Sequence, residues 1–287
     1  MMKQINRRAF LSQTTIGLGA ALALSQLPEQ LLAGARAANT PIGFQTYPIR
    51  DTLAKDFAGT LKMMADQGYQ LVEMCSPQGY ANIGFGPLVN MKTADMRSII
   101  TDAGLSCPSC HFGSGELFDK LDASIDFSEE LGLTQMICST FWLPKTATLK
   151  DYIDAADKLN KAAEKIKKAG MQAGFHNHDF EFAHLEGQLI YDALMGRFDP
   201  DLVKMQFQTE VINLGYKAST YFNKYPGRFI SAHLSDWTAD KKQVPVGQGV
   251  IDWKEFFTAA KTGGVKNFFV EMDSDKLKDS ATYFHAL

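Results

Sequence analysis

The sequence predicts a single (β/α)8 TIM barrel, and three observations carry that reading. Once an N-terminal leader is set aside, about 250 residues remain, the usual size of one such barrel. Along them eight short apolar runs alternate with longer amphipathic ones, the pattern of strands and helices in a parallel sheet closed on itself. No long Pro-, Gly- or Ser-rich stretch interrupts the series to mark a second domain.

The leader comes first. Asn6-Arg7-Arg8-Ala9-Phe10-Leu11 is a twin-arginine pattern, followed by an apolar stretch from Ile16 to Leu24 and the small-residue exit Ala35-Arg36-Ala37. The apolar run is too short for a stop-transfer helix. Residues 1–37 are therefore expected to be a signal peptide for the twin-arginine export machinery, leaving a mature barrel over 38–287 in the periplasm or outside the cell.

Eight strands are expected, at 42–47, 70–75, 106–111, 135–141, 172–178, 203–208, 229–235 and 267–272. Helices are expected between them. In 148–169, Tyr152, Ala155, Leu159, Ala162 and Ile166 form one apolar stripe that stops at Gly170. Similar stripes cover 117–131, ending at Gly132, and 252–262, ending at Gly263-Gly264.

Strand parity then sorts the polar residues, because alternate side chains face the helices and the lumen. Val72 and Met74 outward put Glu73 and Cys75 inward, and the third strand brings His111 to its end. Ala173 and Phe175 outward send His176 and His178 inward; Val203, Met205 and Phe207 outward leave Lys204, Gln206 and Gln208 in the lumen. His233 and Glu271 follow by the same rule. Polar groups from six strands thus converge on one mouth, where barrels of this kind carry their sites. Imidazoles with carboxylates suit a divalent transition metal with open positions for substrate oxygens.

Without the leader, 25 basic and 31 acidic side chains remain, a net charge near −6. That balance disfavours nucleic acid as a partner. No second apolar run reaches the roughly 20 residues of a spanning helix. Cys75, Cys107, Cys110 and Cys138 are expected to be reduced, since a chain exported by this route folds in a reducing compartment. Cys107-Pro108-Ser109-Cys110 lies along a strand rather than at a turn, so packing is the expected role of its thiols. Met63 and Met64 are expected in the core.

Four motifs in order carry a resemblance: Gly174-Phe175-His176-Asn177-His178-Asp179-Phe180-Glu181-Phe182; Pro226-Gly227-Arg228-Phe229 running into His233-Leu234-Ser235-Asp236; Val246-Gly247-Gln248-Gly249-Val250-Ile251-Asp252-Trp253; and Val270-Glu271. Over 42–273 the chain resembles the sugar phosphate isomerase/epimerase family of xylose isomerase-like barrels. The resemblance implies one divalent cation (Mn, Zn, Co or Mg) held at the mouth, at His176 or His178 with Glu181 just beyond, Gln208, His233 and Glu271; His178, His233, Glu271 and Glu181 are the expected ligands. His176, Gln206, Gln208 and Trp142 are the expected substrate contacts. The sixth strand departs from the family's pattern: where many relatives carry an aspartate this chain has Gln208, a weaker ligand for a hard cation.

The chemistry implied is removal of a proton beside a carbonyl of a small-molecule carbohydrate, giving an enediolate that isomerises, epimerises or loses a hydroxyl. Glu271 is the expected base, with Glu73 or His111 as the opposing acid. Phe44, Phe112 and Trp142 are placed either to stack on a sugar ring or to serve as packing, and Arg228 to pair with backbone or Asp236. Export favours a free or keto sugar over a phosphosugar. The alternatives are a keto-sugar or inosose dehydratase in the same site, and a periplasmic barrel that binds carbohydrate without catalysis. Oligomerisation is compatible with any of them.

Overall fold

A computed structural model describes residues 40–286. The expected leader over 1–37 lies outside the described residues. Eight parallel strands close into a barrel in strict chain order: β1 (Ile42–Gln45), β2 (Leu71–Cys75), β3 (Ser106–Phe112), β4 (Gln135–Cys138), β5 (Gln172–His176), β6 (Val203–Gln208), β7 (Phe229–Leu234) and β8 (Asn267–Val270). The ring shuts where Ile42, Gly43 and Phe44 pair with Phe268, Phe269 and Val270.

Among the described residues ten α-helices accompany the strands: α1 (Arg50–Lys55), α2 (Phe57–Asp66), α3 (Thr93–Asp102), α4 (Ser114–Asp119), α5 (Leu121–Leu131), α6 (Leu149–Lys168), α7 (Ile190–Arg197), α8 (Ala218–Lys224), α9 (Trp253–Gly263) and α10 (Leu277–His285). The longest, α6, opens on a capping box in which Thr148 Oγ1 accepts from Asp151 N and Asp151 Oδ2 accepts from Thr148 N at 2.8 Å. Ala155, Ala156, Leu159, Ala162, Ala163 and Ile166 form its buried face.

The single helix expected over 117–131 is two, α4 and α5, because Lys120 leaves the helical region at φ −131°. Gly132 ends α5 at φ 87°, a left-handed conformation that favours glycine. Several strands are shorter than expected, and β5 stops at His176, which puts His178 on the following loop. Met64 is buried, whereas Met63 lies on the exposed face of α2.

The core between barrel and helices is rich in aromatic rings where it supports β6 and β7. Phe207 and Phe222 meet at 5.5 Å, and Phe222 and Phe229 at 4.7 Å, edge to face. Such pairs contribute about 0.5–1.5 kcal/mol each beyond area burial. They fix the two strands whose inner faces carry Gln208 and His233.

Two register shifts place the lumen residues. Between β2 and β3 the pairing moves from Leu71↔Ser106 to Glu73↔Ser109, across Pro108, which has no N–H to give to a ladder. Between β6 and β7 it moves from Met205↔Phe229 to Gln206↔Ser231. Ser109 is thereby set beside Glu73, and Ser231 beside Gln206.

All four cysteines are free; Cys75, Cys110 and Cys138 are buried. Among the described residues no helix is long and apolar enough to cross a membrane.

Candidate active site

The lumen holds a continuous polar network. At its centre Glu73 is fully buried and takes four donors: Gln45 Nε2 at 2.8 Å, Ser109 Oγ at 2.5 Å, Gln206 Nε2 at 2.7 Å, and Nε2 of His233. His111 Nε2 stands 3.3 Å from the same carboxylate and donates to Gln206 Oε1 at 2.6 Å. Gln206 also donates to Ser231 Oγ at 2.9 Å. Glu73 therefore lies beneath the imidazoles with both oxygens engaged.

Toward the mouth, His233 Nδ1 bonds Glu271 Oε2 at 2.8 Å, and Gln208 Nε2 donates to that same oxygen at 2.6 Å. Glu271 Oε1 takes no hydrogen bond from the described residues. Gln208 is held in turn by its amide, which donates to Asn177 Oδ1 at 3.2 Å. His233 is thus clamped between two carboxylates.

Charge follows from this arrangement. Burial disfavours the His233 cation, but Glu271 and Glu73 outweigh it and push the imidazole up to about 10. Burial raises the Glu73 carboxyl, yet His111 and His233 pull it down to about 2. Glu271 is also lowered, its burial offset chiefly by His233. His111 and His176 are lowered by burial, so both are neutral near pH 7, and burial brings His178 down to about 4. Two carboxylates then face one imidazolium, and the lumen keeps a negative charge that a cation would neutralise.

His111, His176 and His233 offer nitrogen atoms within 4.8 Å of one another, a spacing at which they can hold a metal ion. Their rings are packed together, with centroids 4.9 Å apart for His111 and His176, 5.1 Å for His111 and His233, and 4.5 Å for His176 and His233. Nδ1 of His176 is buried with no partner, as is Nδ1 of His178. A buried lone pair without a donor is costly unless something occupies it. The residues fit a divalent cation, which would replace the proton on His233.

His178 and Glu181 lie off this cluster. His178 stacks on Phe180 at 5.0 Å and meets His176 edge-on at 4.7 Å. Glu181 Oε2 accepts from the backbone N of His178 at 2.7 Å, which shapes the turn after β5. Its side chain is buried. Burial pushes the carboxyl up to about 8, and Oε1 has no partner.

Of the three proposed stacking rings, Phe44 and Phe112 are fully buried against Tyr69 and Phe127 and serve as packing. Trp142 is exposed on the loop after β4. Its φ of 54° is in the left-handed region, which costs a bulky residue about 1–2 kcal/mol. Arg228 donates to Met195 O and Phe198 O and does not reach Asp236. Lys204 bonds Gly227 O near the opposite end of the barrel.

Asp236 has a different role from a partner of Arg228. Its Oδ2 accepts from Gly247 N, Gly249 N and Trp253 Nε1 at 2.9–3.0 Å, and its Oδ1 from Trp237 N at 3.0 Å. It ties the Val246–Trp253 motif down beside the mouth. The parity argument passed over Gln45, Ser109 and Ser231, although each lies on a strand at lumen parity. Asn177 and Asp236 lie just past strand ends, where parity says nothing.

A cleft lined by Thr209, Lys217, Ser219 and Glu255 lies away from this lumen. Ser219 Oγ donates there to Glu255 Oε1 at 2.7 Å, while Thr209 Oγ1 donates to Ser235 O.

An eight-stranded barrel with imidazoles and carboxylates gathered in its lumen defines a class, and comparison with known proteins places the chain within it. The chain belongs to the xylose isomerase-like TIM barrel family, whose model matches residues 61–285. It is similar in structure to a sugar phosphate isomerase/epimerase from Parabacteroides distasonis, with 24% identity, a TM-score of 0.74, and coverage of 86% of this chain and 94% of that one. It is also similar to an L-ribulose 3-epimerase, with 16% identity, a TM-score of 0.62, and 86% of each chain covered. A third similar structure is a xylose isomerase-like TIM barrel protein from Mycobacterium smegmatis in complex with magnesium, with 15% identity, a TM-score of 0.65, and coverage of 87% and 97%. Comparison with curated proteins finds no match.

Proposed function

We propose that the barrel isomerises or epimerises a carbohydrate by moving a proton at the carbon beside a carbonyl. The observation that carries this reading is Glu271, a mouth carboxylate kept ionised by His233 with Oε1 left unbonded. A C–H proton passes to Oε1, the C–H pair becomes a C=C bond, and the carbonyl π pair moves onto oxygen to give an enediolate. Return of the proton to the former carbonyl carbon, with the neighbouring hydroxyl's proton passing to the former carbonyl oxygen, isomerises the sugar; protonation of the original carbon on its opposite face requires a second group.

Glu73, whose oxygens are taken and buried, does not suit that second role. His178, kept neutral near pH 7 by burial and with no partner on Nδ1, can take a proton from the opposite epimer and deliver one only after it has done so. His233, backed by Glu73, holds Glu271 in place and in charge. A divalent cation held by His111, His176 and His233 would replace the His233 proton as the positive charge that keeps Glu271 ionised and would supply polarisation of substrate oxygens; nitrogen donors favour Zn, Co or Mn over Mg.

The test is solvent exchange. Incubated with ketoses and 3-keto sugars in deuterated water, the protein is expected to place deuterium beside the carbonyl, and Glu271→Gln to abolish it. A sugar that binds without exchanging would point to a carbohydrate-binding barrel, and loss of a hydroxyl to a dehydratase.

The twin-arginine pattern at Arg7-Arg8 and the exit at Ala35-Arg36-Ala37 support export before the sugar is met. Cell fractionation is expected to find the mature chain, starting at Ala38, outside the inner membrane, and Arg7→Lys with Arg8→Lys to keep it in the cytoplasm.

A further inference from the structure

Large exposed apolar side chains are distributed unevenly. Tyr47, Ile83, Trp142, Phe180, Leu214 and Val250 all lie on segments that leave the C-terminal end of a barrel strand, after β1, β2, β4, β5, β6 and β7 respectively. The exception among the described residues is Met63 on α2. Single exposed apolar residues are ordinary on any surface, but their concentration around one mouth marks a binding face.

Two of them are built in ways that fold stability does not explain. Trp142 is 66% exposed while its backbone stands at φ 54°, held by its amide to Thr140 Oγ1 at 3.4 Å. Its indole nitrogen comes within 4 Å of where a side chain on Gly113 would start, so it lies over the loop after β3. A strained backbone that presents an unpacked indole points to a ligand. Phe180 lies flat on His178, 9° from parallel, and His178 meets His176, so a line of rings runs from the exposed rim to the imidazole cluster. Tyr47 is rooted in the same site: its amide donates to Gln45 Oε1, and Gln45 Nε2 donates to Glu73.

We propose that the site takes a glycoside or oligosaccharide whose reacting ring carries a ketone away from the glycosidic carbon, with that ring at Glu271 and the attached ring or aglycone on the apolar rim, Trp142 foremost. The proposal rests on the carbohydrate reading above. The lumen is filled by its own side chains, so whatever is joined to the reacting ring must lie across the loops. Sugar rings present flat C–H faces that stack on aromatic rings, and rim residues spaced singly around a polar centre match a polar ligand with such faces. A protein partner would call for a contiguous apolar patch.

The experiment is calorimetric titration of the metal-loaded barrel with matched probes: glucose, galactose and xylose, each against its p-nitrophenyl glycoside and a disaccharide bearing it at the non-reducing end. At least one glycoside is expected to bind tenfold or more tighter than its free sugar. Trp142→Ala should bring that ratio to within threefold of unity, and Trp142→Tyr should restore most of it. Disaccharide binding should also shift the Trp142 fluorescence. Free sugars binding as tightly as every glycoside, or a ratio unchanged in Trp142→Ala, would overturn the proposal. So would sedimentation showing a dimer that shields Trp142 and is lost in Trp142→Ala. Deuterium exchange on free sugars without a glycoside preference removes this proposal and leaves the isomerase reading, whereas a Trp142-dependent preference without exchange does the reverse.

Discussion

His233 and Glu73, 160 residues apart in the chain, are bonded through Nε2 at the floor of the lumen, and the opposite ring nitrogen reaches Glu271 Oε2 at 2.8 Å. The buried carboxylate sets the charge of the imidazole, and the imidazole sets the charge of the carboxylate at the mouth. Glu73→Gln removes the deeper anion while keeping the shape. The His233 titration, followed by NMR in the metal-free protein, is expected to fall from about 10 by at least one unit, and exchange activity to drop about 100-fold. An unmoved titration would show that Glu271 alone holds the charge.

Stability in the metal-free protein should decline on the alkaline side. Glu181, raised to about 8 by burial, keeps a proton in the folded chain that the unfolded chain has lost, so its contribution fades as pH rises to 8. His233 favours folding below its unfolded pKa of about 6.5, and this contribution is lost as pH rises through about 10. His178 acts in the other direction: held neutral, it favours folding above about 6.5 and loses that contribution as pH falls toward 4. Thermal melts from pH 5 to 10 are expected to peak between 5 and 7. Glu181→Gln should flatten the fall between 7 and 8, gaining about 1–2 kcal/mol there.

Gln208 donates to Glu271, where an aspartate would repel it or share a cation with it. Gln208→Asp is expected to tighten Mn2+ binding tenfold or more in calorimetric titration. His176→Ala is expected to weaken it at least as much by removing the unpartnered Nδ1 and its ring. Retained affinity in His176→Ala would move the cation from the three imidazoles toward Glu271.

Asp236 concentrates its hydrogen bonds on one loop, so Asp236→Ala leaves Gly247 N, Gly249 N and the Trp253 indole without an acceptor. Destabilisation of about 3 kcal/mol is expected in denaturant melts, with faster proteolysis within 246–253. Trp142→Ala, at an exposed site, should leave the melt unchanged.

Much of this protein is legible along the chain because a parallel strand imposes a period of two and a barrel helix a period near 3.6. Those periods, with their turn signals, determined by themselves the eight strands, their order, and the inward faces of Glu73, His111, His176, Gln206, Gln208 and His233. They did not determine which inward groups meet. The partners of Glu73 stand 28, 36, 133 and 160 residues away in sequence, and their meeting depends on strand stagger and on the register shifts at Pro108 and at Gln206. Tertiary structure alone therefore separated the buried anchor Glu73 from the mouth carboxylate Glu271. It buried Glu181 in the turn after β5, tied Asp236 to its loop, and left Trp142 standing at the rim. Depth in a barrel is a property of the closed ring, and no single strand carries it.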